Sequence, residues 1–145
     1  MPAPLSSFQR PAAMLLLRSL LGMIFLAQGY GKVFTWGVSN LYVQGFQSYE
    51  ALLPKAVVVF AAYYTSYVEL VCGLLLIAGI FRTASYYLLG SVLLIVAFGH
   101  GLQDPIWDLH HVFVRAALLI PLLLLPAEWD RWHLDRLLVR SPQGG

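Results

Sequence analysis

A single acidic residue, Glu69, lies near the middle of an apolar stretch from Val59 to Arg82. The stretch can cross a bilayer, which takes roughly 20 apolar residues. A charge at the centre of such a helix costs roughly 2.5–3.5 kcal/mol on insertion scales. The carboxyl group must therefore face other helices and either pair with a base or hold a proton. Two interpretations stay open: a plain bond to a neighbouring helix, or a proton-exchanging or ligand-binding site.

Small and polar residues recur at helical spacing on the first two apolar segments, which favours close packing between helices. On the segment that contains Glu69, the shared stripe consists of Ala62, Ser66, Glu69, Gly73, Leu76 and Gly79. On the segment before it, one face carries Arg18, Gly22, Phe25, Gly29 and Lys32. We therefore expect these two faces to be buried against other helices.

The composition is that of a membrane protein: 59% of the 145 residues are hydrophobic and 11% are charged, with a mean hydropathy of +0.73. Soluble domains carry about 25% charged residues. Cys72 is the only cysteine, which excludes an intramolecular disulfide and a Cys-x-x-Cys redox pair. Electron chemistry would need a bound cofactor, a quinone or a partner protein. The sequence has no Gly-rich phosphate loop, no zinc-type cysteine spacing and no basic patch for nucleic acid.

The hydrophobic pattern predicts an all-α fold, a four-transmembrane-helix bundle followed by an amphipathic helix at the membrane interface. The chain forms a single membrane domain, 1–145. The spans are predicted at about 11–34, 57–81, 84–99 and 105–125, and the interfacial helix at about 127–140. Between the first two spans, 35–56 is a long loop rich in interfacial aromatic residues, with a short surface helix before Pro54.

The basic residues near the span ends predict the orientation. One side carries Arg10, Arg18, Arg82, Arg131, Arg136 and Arg140, and the other carries Lys32 and Lys55. The positive-inside rule then places both termini in the cytoplasm. An even number of spans agrees with termini on one side.

This topology gathers polar side chains at the outer ends of the helices, above Glu69. They are Gln28, Lys32, His100, Asp104, Asp108, His110, His111 and Arg115. Arg115 could reach toward Glu69 through its long side chain or through water. Histidine pairs in loops are more often ordinary surface residues than ligands, so we predict no metal site. The residues that could form one are His100, Asp104, Asp108, His110 and His111.

Two helix motifs resemble those of the DoxX family. Arg18-Ser-Leu-Leu-Gly-Met-Ile-Phe-Leu-Ala-Gln-Gly-Tyr-Gly-Lys32 resembles its first-helix signature, and Glu69-Leu-Val-Cys-Gly-Leu-Leu-Leu-Ile-Ala-Gly-Ile-Phe-Arg82 resembles its second. The tail Trp132-His-Leu-Asp-Arg-Leu-Leu138 is similar to the ending of the family. The motif positions are occupied by Arg18, Gly29, Lys32, Glu69, Gly73 and Arg82. The fourth helix, with Asp108-Leu-His-His-Val-Phe-Val-Arg115, departs from the family pattern.

The resemblance implies a four-helix protein of the bacterial inner membrane, linked to quinone-dependent redox or oxidative-stress systems. Under this hypothesis Glu69 exchanges protons with a bound quinone. The candidate ligand-binding residues are Arg18, Gln28, Lys32, His111 and Arg115. The partners would be the bilayer and a redox protein, and self-association is a further hypothesis.

A non-catalytic anchor or assembly partner of a redox enzyme is the main alternative. Transport of a small solute or proton is less favoured, because the chain shows no repeat and no pair of broken helices.

Overall fold

The computed structural model describes residues 8–103 and 109–135, which fold as a helical bundle without a strand in that part of the chain. The longer helices are α1 (Gln9–Tyr30), α3 (Lys55–Ala78), α4 (Arg82–Gln103) and α5 (His110–Leu124), and a short α2 (Val38–Leu41) lies between the first two. The predicted all-α membrane bundle is confirmed.

Three of the described helices are long and apolar enough to cross a membrane: α1 with its continuation to Trp36, α3 and α4. The helix α4 begins at Arg82 and runs to Gln103, beyond the predicted 84–99, because Gly99 and Gly101 stay within the helix. The described part of the predicted fourth span is α5, a 15-residue apolar helix that contains Pro121. The predicted helix start at Asp104-Pro105 lies outside the described residues.

Three glycines bring the backbones of α1 and α3 into contact along an antiparallel seam. A Cβ added at Gly29 would strike the backbone of Leu70, and one at Gly73 would strike that of Leu26. A Cβ at Gly22 would lie 3.0 Å from the carbonyl oxygen of Gly73. The seam buries both faces that the spacing picked out, including Arg18, Phe25, Ser66 and Glu69, so the predicted packing of these faces is confirmed.

A tight turn reverses the chain between α3 and α4. Gly79 adopts the left-handed conformation with φ of 72°, which only glycine adopts at no cost. The N–H of Ile80 donates to the carbonyl of Leu75 over 2.9 Å, and that of Gly79 donates to Leu76 over 3.2 Å. These bonds close the end of α3 in a Schellman motif, and α4 therefore packs antiparallel beside it.

Residues 31–54, which we call the cap, fold in short helical turns rather than as the predicted loop. A π-helical turn (Gly31–Trp36) extends α1, and α2 is followed by a second π-helical turn (Tyr42–Phe46) and a 3-10 helix (Gln47–Ala51). That 3-10 helix stands where the short surface helix was predicted. Ser48 Oγ accepts a 2.7 Å hydrogen bond from Gln103 Nε2, and Tyr42 bonds Glu50. The cap thus closes one end of the bundle, the cap end.

The opposite end, which we call the Arg18 end, is closed by residues after α5. Ala127–Trp129 form a 3-10 turn, and the chain from Asp130 to His133 is not helical. The continuous interfacial helix predicted over 127–140 is therefore wrong for its described part, and 136–140 lie outside the described residues. The physical reason is that Asp130 is buried between two arginines, which an amphipathic helix lying in the interface would not allow.

The apolar core fills the middle of the bundle and the half nearer the Arg18 end. It contains Leu21, Phe25, Leu76 and Leu89, all fully buried. Toward the cap end this packing gives way to a cavity.

Candidate functional site

A cavity of about 1010 Å³ occupies the cap half of the bundle. Residues of α1, the cap, α3, α4 and α5 form its walls, and most of its surface is apolar. The charged, amide and imidazole side chains that line it are Gln28, Lys32, Glu69, His100, His111 and Arg115. Four of the five residues predicted to bind a ligand therefore meet in one cavity, together with the predicted proton-exchanging Glu69.

Glu69 lies on the buried stripe of α3, with 1% of its surface exposed. Lys32 Nζ approaches its Oε2 to 2.6 Å and forms an ion pair. Oε1 has no hydrogen-bond partner among the residues that the structure describes. The nearby hydroxyl of Ser66 donates to its own helix, to the carbonyl of Ala62 at 2.7 Å. The carboxylate thus keeps one oxygen available within a low-dielectric site.

The register of the glycine seam brings Lys32 to Glu69. Because Gly29 lets α1 touch the backbone of Leu70, the side chain one turn further along α1 lies beside Glu69. Lys32 stands in the π-helical turn that extends α1, and such turns often occur at functional sites. We predicted Arg115 as the group that could reach Glu69, and the structure assigns the direct pair to Lys32.

Arg115 forms a second positive group of the site, from α5. It is buried, its guanidinium carbon lies 5.7 Å from the centre of the Phe25 ring, and it interacts electrostatically with Glu69. Cation–π contact of this kind is favourable within about 6 Å. With Lys32 and Glu69, the charged groups that line the cavity among the described residues sum to one excess positive charge, which favours a ligand with acceptor oxygens or negative charge.

Two histidines lie at the cavity wall, on α4 and α5. The ring centres of His100 and His111 are 4.8 Å apart, and those of His110 and His111 are 5.5 Å apart. Among residues 8–103 and 109–135, no three His, Cys, Asp or Glu side chains form a group that could hold a metal ion. The candidates Asp104 and Asp108 lie outside the described residues.

Arg18, also predicted to bind a ligand, does not line this cavity. Its guanidinium contacts both oxygens of Asp130 at 2.7 and 2.8 Å and donates to the carbonyl of Trp132 at 2.7 Å. Arg82 joins the same Asp130 at 2.6 Å and contacts Asp135 at 3.4 Å. These four charged residues form the Arg18 cluster. Asp130 and Asp135 were not among the predicted site residues. Their only signal in the sequence is that they alternate with basic residues after the last span.

Comparison with curated proteins and with solved structures finds no match. The model of one family, DoxX, matches residues 13–101, more than half of the chain. The matched part contains both members of the Lys32–Glu69 pair and the glycine seam between α1 and α3. The chain is a multi-pass membrane protein that belongs to the DoxX family.

Proposed function

We propose that this protein is a membrane subunit of a redox or oxidative-stress system and binds a quinone-type headgroup in the cavity. One observation carries the proposal: Glu69 is buried and paired at one oxygen, while its other oxygen has no hydrogen-bond partner in the part of the chain that the structure describes. A buried polar atom without a partner costs about 1–3 kcal/mol. A ligand hydroxyl that donated a hydrogen bond to Oε1, as the reduced form of a quinone can, would remove this cost.

The residues present suit such a group. Ligand cavities commonly measure about 300–1,000 Å³, with mostly apolar walls and a few placed polar groups, and this cavity fits that description. A quinone supplies two acceptor oxygens on an apolar ring and exchanges electrons together with protons. Lys32 and Arg115 supply donors and positive charge, and Glu69 supplies a proton-exchanging oxygen.

The chain's own residues would bind, orient and move protons. The Lys32 ammonium and the Arg115 guanidinium draw acceptor oxygens toward the buried end of the cavity. Oε1 of Glu69 is where a proton would be held or released, which is the work of a general acid–base group. The apolar walls keep the dielectric low, so these charges act more strongly than they would in water.

Electrons would have to come from a partner protein. The single thiol, Cys72, is buried in the core and cannot form a dithiol pair. The anchor hypothesis also involves such a partner, because an anchor would bind the same protein without binding a quinone.

The test is gentle extraction of the protein from its native membrane, with quantification of quinone per chain by mass spectrometry. We expect close to one quinone per chain in the wild type, a large loss in Glu69→Gln and in Lys32→Gln, and no loss in Glu128→Gln, an exposed acid outside the cavity. Wild-type protein that carries a stoichiometric soluble partner but no quinone would contradict the proposal and favour the anchor.

A further inference from the structure

The helices α3 and α4 are held together over only part of their length. On the Arg18 side they share the apolar core, to which α3 contributes Cys72 and Leu76. Toward the cap end, the Tyr64 hydroxyl and Ser91 Oγ form a 2.7 Å hydrogen bond between the two helices. Beyond that bond, Ala62 and Leu93 are still buried, but other side chains of the two helices face the cavity.

The apolar side chains beyond that bond that line the cavity include Val57, Phe60 and Ala61 on α3 and Leu94, Ile95 and Phe98 on α4. Three of them are also among the most exposed apolar residues: Phe60 is 62%, Leu94 73% and Phe98 60% exposed. A residue that lines a cavity and keeps most of its surface exposed stands at the mouth of that cavity. These three residues therefore place a mouth between the cap-end halves of α3 and α4. Trp36, which also lines the cavity and is 56% exposed, marks a second opening at the extension of α1.

We expect this mouth to face hydrocarbon. Both helices that frame it are long and apolar enough to span the membrane, and the frame residues Phe60, Leu94 and Phe98 are all apolar. The aromatic ring of Phe60 stacks on Tyr64 at 5.3 Å, so the lower edge of the opening is formed by this stack and the Tyr64–Ser91 bond.

Polarity is distributed unevenly between the mouth and the interior of the cavity. The charged groups lie on other walls: Lys32 on the extension of α1, Arg115 on α5, and Glu69 on the stripe of α3 that faces α1. A ligand that satisfies both regions has a polar, acceptor-rich head and an apolar tail. Its head would lie among the charges and its tail would pass through the mouth.

We propose that the gap between the cap-end halves of α3 and α4 is a lateral entrance from the bilayer, used by a single-tailed amphiphile whose tail stays in the lipid. The inference rests on the proposed function, of which it specifies the ligand class and the route. A prenylated quinone has this form, with an oxygen-bearing ring and one isoprenoid chain.

The experiment uses a prenylated quinone of two isoprene units with a photoreactive diazirine at the end of its tail. The full-length protein in lipid vesicles is irradiated with this probe, and the labelled peptides are mapped by mass spectrometry. We expect labels around Phe60, Leu94 and Phe98. Labels confined to cap residues 41–53 would place the route through the cap and overturn the lateral entrance.

Two variants sharpen the test. Ala61→Trp places a bulky ring in the mouth and should lower labelling roughly tenfold, equivalent to about 1.4 kcal/mol. Val71→Trp adds the same ring to an exposed position of α3 outside the cavity and should leave labelling within roughly twofold. If Ala61→Trp fails to fold, as judged by its thermal transition, Leu94→Trp replaces it, and the label map of the wild type remains decisive.

The outcomes separate the two proposals. Quinone bound in the wild type and lost in Glu69→Gln, with no labels on α3 or α4, would overturn the entrance and leave the proposed function standing. Absence of bound quinone in the wild type would overturn both.

Discussion

The protein buries two carboxylates, Asp130 at the Arg18 end and Glu69 in the middle of α3 at the wall of the cavity, and they differ in how their oxygens are used. Asp130 has both oxygens bonded, because Arg18 contacts each of them and Arg82 adds a third contact. Glu69 has one oxygen paired with Lys32 and one without a partner among the described residues. In the first arrangement both carboxylate oxygens are used, and the contacts join α1 and α4 to the chain after α5. The second leaves an acceptor facing a cavity, and it is there that a ligand can contribute a missing contact.

The largest expected effect is the loss of stability when Asp130 is removed. Asp130→Asn leaves Arg18, which is 1% exposed, as a buried charge with its neutralising partner gone. Breaking a buried ion pair in this way costs about 3–5 kcal/mol. We expect a free energy of unfolding lower by that amount, measured by denaturant titration in mixed micelles.

The loss of stability on the matched change at Glu69 should be smaller. Glu69→Gln leaves Lys32, whose side chain is 23% exposed and can turn toward the cavity, so we expect a loss of about 1–2 kcal/mol. Glu128→Gln, an exposed neighbour of Asp130, serves as the control and should stay within about 0.5 kcal/mol. Equal losses for Asp130→Asn and Glu69→Gln would remove the distinction between the two carboxylates.

A second prediction tests whether the glycine seam sets the register of Lys32 and Glu69. Gly29→Ala places a Cβ against the backbone of Leu70, which cannot move aside as a side-chain tip could. Overpacking of this kind costs about 1–3 kcal/mol, and by separating α1 from α3 it should also lower quinone content. Gly101→Ala, where an added Cβ meets nothing within 4 Å and which does not line the cavity, is the control. Unchanged stability and quinone content in Gly29→Ala would show that the helices do not need this contact.

The hydrogen bond between α3 and α4 should have a moderate effect. Tyr64→Phe removes the hydroxyl that bonds Ser91 at 2.7 Å, and a typical loss is about 1 kcal/mol. The loss should appear in thermal unfolding, while Tyr67→Phe, a neighbouring exposed tyrosine on the same helix, leaves the transition where it is. If Tyr64→Phe unfolds at the same temperature as Tyr67→Phe, the hydrogen bond does not contribute to holding the two helices together.

The smallest effect concerns pH at the Arg18 end. Burial, followed by the nearby Arg82 charge, lowers the pKa of His133 from its ordinary value of 6.5, and its buried Nδ1 has no partner among the described residues. The unfolded chain therefore binds a proton more readily than the folded one. The stability that this histidine contributes is present above pH 6.5 and is lost as the pH falls below it.

Thermal unfolding between pH 7.5 and pH 5 measures this effect. We expect the transition of the wild type to fall further with acidification than that of His133→Gln. Parallel pH profiles of the two proteins would exclude a contribution from this histidine.

Much of the fold follows from the sequence because apolar length and helical spacing are local properties. The stripe around Glu69 and the face from Arg18 to Lys32 are buried as predicted, since small residues at the right spacing leave few other ways to pack two helices. The partner of Glu69 could not be predicted. It depends on the relative register of α1 and α3, which is fixed by where Gly29 meets Leu70.

The tail and the cap were predicted less well, for a related reason. The alternation of polar and apolar residues after Pro126 favoured an amphipathic helix, but burial of Asp130 against Arg18 and Arg82 outweighs that local preference. In the cap, π-helical and 3-10 turns replace the expected loop. The cap contacts α3 and α4, for example through the hydrogen bond that Gln103 donates to Ser48. Contacts of this kind are not visible in the local sequence pattern.

The pairing of Arg18 with Asp130 also has a consequence for biogenesis. The two residues are separated by 112 positions, so at roughly 5–20 residues per second Arg18 leaves the ribosome several seconds before its counter-ion exists. Arg18 lies nine positions after the start of α1 at Gln9, so during that interval its long side chain has to reach toward the membrane surface to keep its charge in a polar environment. The Arg18 cluster therefore assembles only once the last part of the chain has been made, and a chain that ended before Asp130 would leave Arg18 and Arg82 without this acid.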